Sequence, residues 1–223
     1  MCASASSDGV GGRRPLIVGV VGESGSGKTV VLEVLGALGA ATIEADAVAR
    51  EVVARGSEVL KAIVQTFGAE FRRPDGSLDR KALGRLVFAN EGARRRLNAL
   101  THPAMLARIQ DRIRELAGGE RPPEVVAVEA AVLREMGALE LVDVLIMVEA
   151  PRSVRLERIR RRDNLTPREA EARLAAQEHA GLGELQADYD VDNSGDIALM
   201  REQVRAVWER MLCARTRRGC GQQ

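Results

Sequence analysis

The sequence predicts an α/β fold in three layers, a parallel five-stranded sheet with helices on both faces. Three observations predict it. The short apolar runs Leu16–Val21, Val125–Val128 and Val144–Val148 have the length and β-branched composition of strands buried on both sides. Stretches with apolar residues at three- and four-residue spacing separate them, so strands alternate with helices. At 223 residues the chain can bury one sizeable domain and is marginal for two.

Strand one is Leu16–Val21, and the first helix runs from Lys28 to Leu38, where Gly39 stops it. Strand two, Ala40–Ile43, follows at once. Residues 47–117 form a helical insertion: Val48, Val52, Val53, Val59, Leu60, Ile63, Val64 and Phe67 keep helical spacing. Arg73-Pro74-Asp75-Gly76 reads as a turn, before a helix carrying Leu83, Leu86, Val87 and Phe88. The break Gly118–Pro123 precedes strand three, which ends in the carboxylate of Glu129. After strand four, Pro151 opens an arginine-rich helix to about Arg162, and Thr166-Pro167-Arg168-Glu169 has the form of a capping box. Strand five is Tyr189–Asp192. A closing helix over 197–212 turns Leu199, Val204, Val207, Trp208 and Leu212 to the core. The expected organisation is one domain over 15–213, with its core at 15–46, 118–151 and 188–213, between disordered tails at 1–14 and 214–223.

Composition narrows the function classes. Lysine and arginine total 33 against 32 acidic residues, so net charge offers no attraction to nucleic acid or an anionic membrane. The five aromatics (Phe67, Phe71, Phe88, Tyr189, Trp208) are too scattered for a base-stacking platform. Cys2, Cys213 and Cys220 make no C-x-x-C pair and have no histidine cluster beside them, which argues against a zinc site or a disulfide framework. The first 14 residues lack an apolar core, and no apolar run reaches the length of a membrane span. These features predict a soluble, cytoplasmic protein, a monomer or weak homo-oligomer that binds neither nucleic acid nor membrane.

The run Gly22-Glu23-Ser24-Gly25-Ser26-Gly27-Lys28-Thr29, between strand one and the first helix, fits the phosphate-loop pattern G-x-x-x-x-G-K-S/T. Glycines at 25 and 27 let successive N–H groups curl around phosphate oxygens at a positive helix N-terminus. Lys28 would reach the β- and γ-phosphates, and the Thr29 hydroxyl would ligate Mg²⁺. The pattern therefore predicts a nucleotide whose phosphates are held by Gly25, Ser26, Gly27, Lys28, Thr29 and Val30.

Three further places could carry chemistry. Asp46 follows strand two at the carboxyl edge of the sheet, where it could take the proton of an attacking hydroxyl. It also reads as a helix N-cap with Arg50 as a surface partner, and the two roles are compatible. Arg155, Arg158 and Arg162 fall on one stripe of their helix, able to close over transferring phosphates, although such a run is also what a solvated face carries. Glu129 can hold Mg²⁺ through water. His102-Pro103, taken alone, reads as extended chain at the start of a helix.

With these positions assembled, the chain resembles the dephospho-coenzyme A kinases from Ile17 to Trp208. The resemblance is carried by the loop, by Glu44-Ala45-Asp46 through Arg50, by Asp75-Gly76-Ser77-Leu78-Asp79-Arg80 and by Arg96-Leu97-Asn98-Ala99-Leu100-Thr101-His102-Pro103. Leu156-Glu157-Arg158, Arg162-Asp163, Ala175-Ala176-Gln177 and Asp192-Asn193-Ser194-Gly195 follow in order. It implies a phosphate-loop kinase fold in which 47–117 binds the acceptor and 152–187 forms a lid. The implied reaction transfers the ATP γ-phosphoryl group to the ribose 3′-hydroxyl of dephospho-coenzyme A. By similarity Asp46 is the base, Lys28 and Arg158 stabilise the phosphoryl group, and Arg162 closes over ATP. Asn193 to Gly195 line the adenine, and Arg50, His102 and Glu135 lie on the acceptor side. The chain departs from the family at Glu23 and Ser24, at Glu44 and Glu129, and across 178–187, where His179 is the one basic residue. A kinase for another small hydroxyl acceptor, or a catalytically degenerate ATP-binding regulatory protein, are the alternative readings.

Overall fold

The computed structural model describes residues 14–129, 131–178 and 185–220. Its sheet contains β1 (Leu16–Val21), β2 (Ala41–Ile43), β3 (Val125–Glu129), β4 (Val144–Glu149) and β5 (Tyr189–Asp192) in the order β2-β3-β1-β4-β5. All four pairings are parallel. β1 is central, flanked by β3 on one side and β4 on the other, so the strand order reverses at its carboxyl end. Ligand crevices of open α/β sheets form at such a point.

Side-chain alternation assigns β1 to both layers. Val18 and Val20 pack with Val31 and Leu35 of α1 (Lys28–Ala37) and with Met200, Val204 and Met211 of α9 (Ile197–Cys220). Ile17 and Val21 face the other way, onto Val48 of α2 (Ala45–Val52), Met105 and Ile109 of α5 (Glu91–Ala117) and Leu133 of α6 (Ala131–Glu135). The insertion has a third core of its own, in which Leu60 and Ile63 of α3 (Glu58–Phe67) meet Leu78 and Leu83, the latter on α4 (Arg80–Ala89). Two helices, α7 (Arg152–Asp163) and α8 (Pro167–Glu178), follow β4. The capping box at the start of α8 forms as expected: the Thr166 N–H donates to Glu169 Oε2 at 2.8 Å, and the Glu169 N–H to Thr166 Oγ1 at 3.4 Å.

Three local expectations are corrected. His102-Pro103 does not begin a helix; both lie inside α5, where Pro103 has no N–H to give the Ala99 carbonyl. In α9 the buried stripe is Met200, Val204, Val207 and Met211, while Leu199, one position away on the helical wheel, is 59% exposed. The tail expected to be disordered from residue 214 instead continues α9 to Cys220. Arg215 anchors that extension by donating to the Glu124 and Arg14 carbonyls. The departure at His179 lies outside the described residues. Among the described residues no helix is long and apolar enough to cross a membrane.

Candidate active site

The loop between β1 and α1 is shaped by glycine. Gly25 has φ +80°, and a Cβ there would sit 2.8 Å from the Arg155 carbonyl; at Gly27, φ +104°, it would sit 2.0 Å from Asn193 Nδ2. Neither position has room for a side chain, and both favour the left-handed region that glycine adopts freely. Lys28 folds along the loop, its Nζ donating to the Gly22 carbonyl at 3.0 Å and the Glu23 carbonyl at 3.3 Å. The Val30 N–H is taken by the Gly27 carbonyl at 3.0 Å. The N–H groups of Lys28 and Thr29, in the first turn of α1, are the donors such a terminus offers to an anion. Thr29 is exposed, while Ser26 is buried beneath the turn.

Side chains from the residue after β5 and from α7 brace the loop. Asn193 Nδ2 donates to the Ser26 carbonyl at 2.7 Å. Arg158 donates to the carbonyls of Gly25 (3.3 Å), Ser26 (3.4 Å) and Asn193 (3.0 Å), and to Asn193 Oδ1 (3.2 Å). A guanidinium on these carbonyls polarises their peptide groups, which strengthens the N–H donors on the opposite side of each peptide. Arg158 therefore reaches the loop by its carbonyl side. The departure at Glu23 acquires a structural role here. Its carboxylate turns to Arg155, 2.7 Å away, whose side chain is only 7% exposed. The acid beside the phosphate loop is thus matched by a buried cation on α7.

Sequence reasoning placed Arg155 on a stripe with Arg158 and Arg162 but did not anticipate this pair. Of that stripe, Arg155 and Arg158 reach the loop, while Arg160 and Arg161 pair outward with Glu157 at 2.8 and 2.6 Å. Those two hydrogen-bonded guanidiniums hold the exposed Glu157 carboxyl at a pKa of about 2.

Charges from three other elements act on Lys28. Glu129, at the end of β3, lies 3.8 Å from its Nζ. Burial lowers the Lys28 pKa; Glu129 opposes the shift, Arg162 adds to it, and Asp46 opposes it. Burial raises the Glu129 pKa, with Lys28 opposing and Asp46 and Glu44 reinforcing the rise. Both partners shift toward their neutral forms, so burial outweighs their attraction. An anion beside Lys28 and a divalent cation beside Glu129 would each offset that cost. Asp46 stands in the first turn of α2 rather than at its N-cap, which is Glu44, whose side chain makes no capping bond. Arg162 is held by a two-point contact with Asp163 at 2.9 and 3.0 Å, and Asp163 also binds Arg173 at 2.8 Å.

On the insertion side, Arg50 is on the same face of α2 as Asp46, one turn on. Arg80, at the first position of α4, donates to the Arg50 carbonyl at 3.2 Å. His102 Nε2 faces Glu135 Oε2 at 4.0 Å. On the other side of the loop, a cavity of about 530 Å³ opens between the ends of β4 and β5, with Glu23, Ser26, Arg155, Asp192 and Ser194 in its wall. Of residues 193–195, Ser194 lines this cavity, whereas the Asn193 amide is committed to the loop and Gly195 has open space around its Cα.

A family model described as dephospho-CoA kinase matches residues 16–198 of this chain. The chain belongs to the dephospho-CoA kinase family. It is 44% identical over 179 residues to a dephospho-CoA kinase of Anaeromyxobacter dehalogenans, covering 80% of this chain and 84% of that protein. A second, from Moorella thermoacetica, is 42% identical over 195 residues, covering 87% of this chain and 92% of its own length. Among solved structures, the dephospho-CoA kinase from Campylobacter jejuni superposes with a TM-score of 0.63 at 28% identity, over 87% of this chain and 96% of that one. Family and fold agree with the phosphate-loop kinase architecture above, and the activity they assign is that of an ATP-dependent dephospho-CoA kinase.

Proposed function

We propose that the ATP γ-phosphoryl group passes to the ribose 3′-hydroxyl of dephospho-CoA at the carboxyl edge of the sheet, with Asp46 as the base. One observation carries this reading: Asp46 from α2, Lys28 from the loop, Glu129 from β3 and Arg162 from α7 share one electrostatic neighbourhood. A carboxylate base, two cations and a helix N-terminus within electrostatic reach of one another suit an in-line transfer between anions. Asp46 accepts the hydroxyl proton as the oxygen bonds to the γ-phosphorus, whose bond to the β,γ-bridging oxygen breaks to release ADP. Lys28 and Arg162 balance the charge that spreads over the phosphoryl oxygens. Gly25, Ser26, Gly27, Lys28, Thr29 and Val30 hold the ATP phosphates. Arg158 acts through the loop peptides it polarises and is in this geometry a positioning residue.

The oxygen donors suit Mg²⁺, a hard cation that keeps several waters and needs few protein ligands. The exposed Thr29 hydroxyl and the Glu129 carboxylate, raised in pKa by burial among other acids, would hold it. Bound there, it would neutralise charge between the β- and γ-phosphates. Arg50, His102 and Glu135 lie toward the acceptor, and Asn193 and Gly195 contribute to the nucleotide side through the loop and the chain next to Ser194. We place the enzyme in the cytoplasm, as a monomer or weak homo-oligomer. Because Glu23 is directed at Arg155, it gives no support to a degenerate regulatory protein.

The test is Asp46→Asn. Phosphoryl transfer should fall by about 10²- to 10⁴-fold while ATP still binds. An unchanged rate would remove Asp46 as the base.

A further inference from the structure

Dephospho-CoA presents more than a hydroxyl. One furanose ring away from the 3′-oxygen it carries a diphosphate, which needs cations of its own because Lys28 and the loop serve the phosphates of ATP. The insertion is rich in arginine, and half of these side chains have carboxylate partners. Arg108 and Arg112 bind Glu51, Arg73 binds Asp79, and Arg95 binds Glu91. Arg50, Arg55, Arg72, Arg80, Arg85 and Arg96 form no ion pair among the described residues, and of these Arg50 and Arg80 are set apart by Asp46, which shares α2 with Arg50 and acts electrostatically on Arg80. They are nevertheless held together: Arg80 Nη2 is fixed on the Arg50 carbonyl at 3.2 Å, and Arg50 lies one turn of α2 from Asp46.

We infer that Arg80, together with Arg50, grips the diphosphate of the acceptor and sets the distance from that diphosphate to Asp46. The inference rests on the dephospho-CoA kinase reading and adds to it a residue that recognises the acceptor. Burial first, and then the charge of Arg50, lower the Arg80 pKa, while Asp46 opposes the shift. A diphosphate would offset both costs and accept the forked donors of two arginines. The geometry also orders the acceptor. The diphosphate lies toward the α2–α4 contact, the ribose faces Asp46, and the 3′-oxygen points at the loop.

The experiment compares Arg80→Gln and Arg80→Lys with the unaltered full chain, measuring kcat and KM for dephospho-CoA and for ATP. Adenosine, which has the nucleoside and no phosphate, serves as a competitor against dephospho-CoA. Loss of a charge-assisted contact should raise KM for dephospho-CoA by about 10- to 100-fold in Arg80→Gln. Most of the loss should fall on KM rather than kcat, and KM for ATP should be unmoved. The salt dependence of KM for dephospho-CoA should flatten, and Arg80→Lys should recover part of the loss. Adenosine should inhibit all three proteins with the same constant. A KM for dephospho-CoA unchanged in Arg80→Gln would overturn the inference. So would an equal weakening of adenosine, which would mean that Arg80 merely holds α2 and α4 together. Failure of the unaltered chain to use dephospho-CoA at all would instead count against the underlying reading.

Discussion

Replacing Glu23 with alanine removes one carboxylate partner of Arg155, whose side chain is only 7% exposed. Removing one partner of a fully buried ion pair costs about 3–5 kcal/mol, because the remaining charge stays desolvated. Glu23 keeps 36% of its side chain exposed. Water can therefore follow the deletion, which reduces the expected loss to about 2 kcal/mol. For a domain of this size each kcal/mol moves the melting midpoint by about 2–4 °C, so Glu23→Ala should melt about 4–8 °C lower by circular dichroism. Arg155→Met alone leaves the partly exposed acid and should cost less. The double variant removes both ends of the pair, so its loss should fall short of the sum of the single losses by about 1–2 kcal/mol. KM for ATP should rise in Glu23→Ala, since the loop loses a tie to the helix that carries Arg158 and Arg162. Single losses that add, or a melting point unmoved by Glu23→Ala, would refute the claim that this pair secures the loop.

Other outcomes follow from the same geometry. Gly27→Ala would place a Cβ 2.0 Å from Asn193 Nδ2 at φ +104°. It should raise KM for ATP at least tenfold in steady-state assays, by an order-of-magnitude estimate from strain and displaced contacts. Glu129→Gln should raise the Mg²⁺ concentration that gives half-maximal rate by about tenfold or more. Burial depresses the His102 pKa below its ordinary value of 6.5, with Glu135 opposing. Below that value the unfolded chain takes up a proton that the folded chain resists, so acidification favours unfolding. This contribution to stability is present above pH 6.5 and is lost as the pH falls through the lower folded-state value. Denaturant midpoints should therefore fall less steeply with acidification in His102→Gln than in the parent.

The fold was legible because its signals are local. Val125–Val128 and Val144–Val148 are apolar at every position, as strands covered on both faces must be, and the loop follows β1 directly. Asp46, Lys28 and Glu129 could be placed at one edge because Glu129 ends a parallel strand and the other two open the helices that follow such strands. What could not be read depends on side chains meeting across the chain. Nothing near Glu23 in the sequence indicates that Arg155 is buried against it, and a stripe of arginines looks the same whether it faces a loop or water. Asn193 read as a nucleotide contact from its motif, yet its amide holds the Ser26 carbonyl. The end of α9 has the polar composition of a tail, and only the Arg215 contacts with Glu124 and Arg14 reveal what secures it. His102-Pro103 follows local rules for chain entering a helix, which the packing of Met105 and Ile109 against the sheet overrides.

The most direct measurement of the central claim is ADP release by the full chain in the presence of Mg²⁺ and ATP, with and without dephospho-CoA, together with the position of the new phosphate by phosphorus NMR. ADP should appear in step with dephospho-CoA consumed, and the phosphate should reside on the ribose 3′-oxygen. ADP release indifferent to dephospho-CoA, or a better rate with another hydroxyl acceptor, would contradict the account.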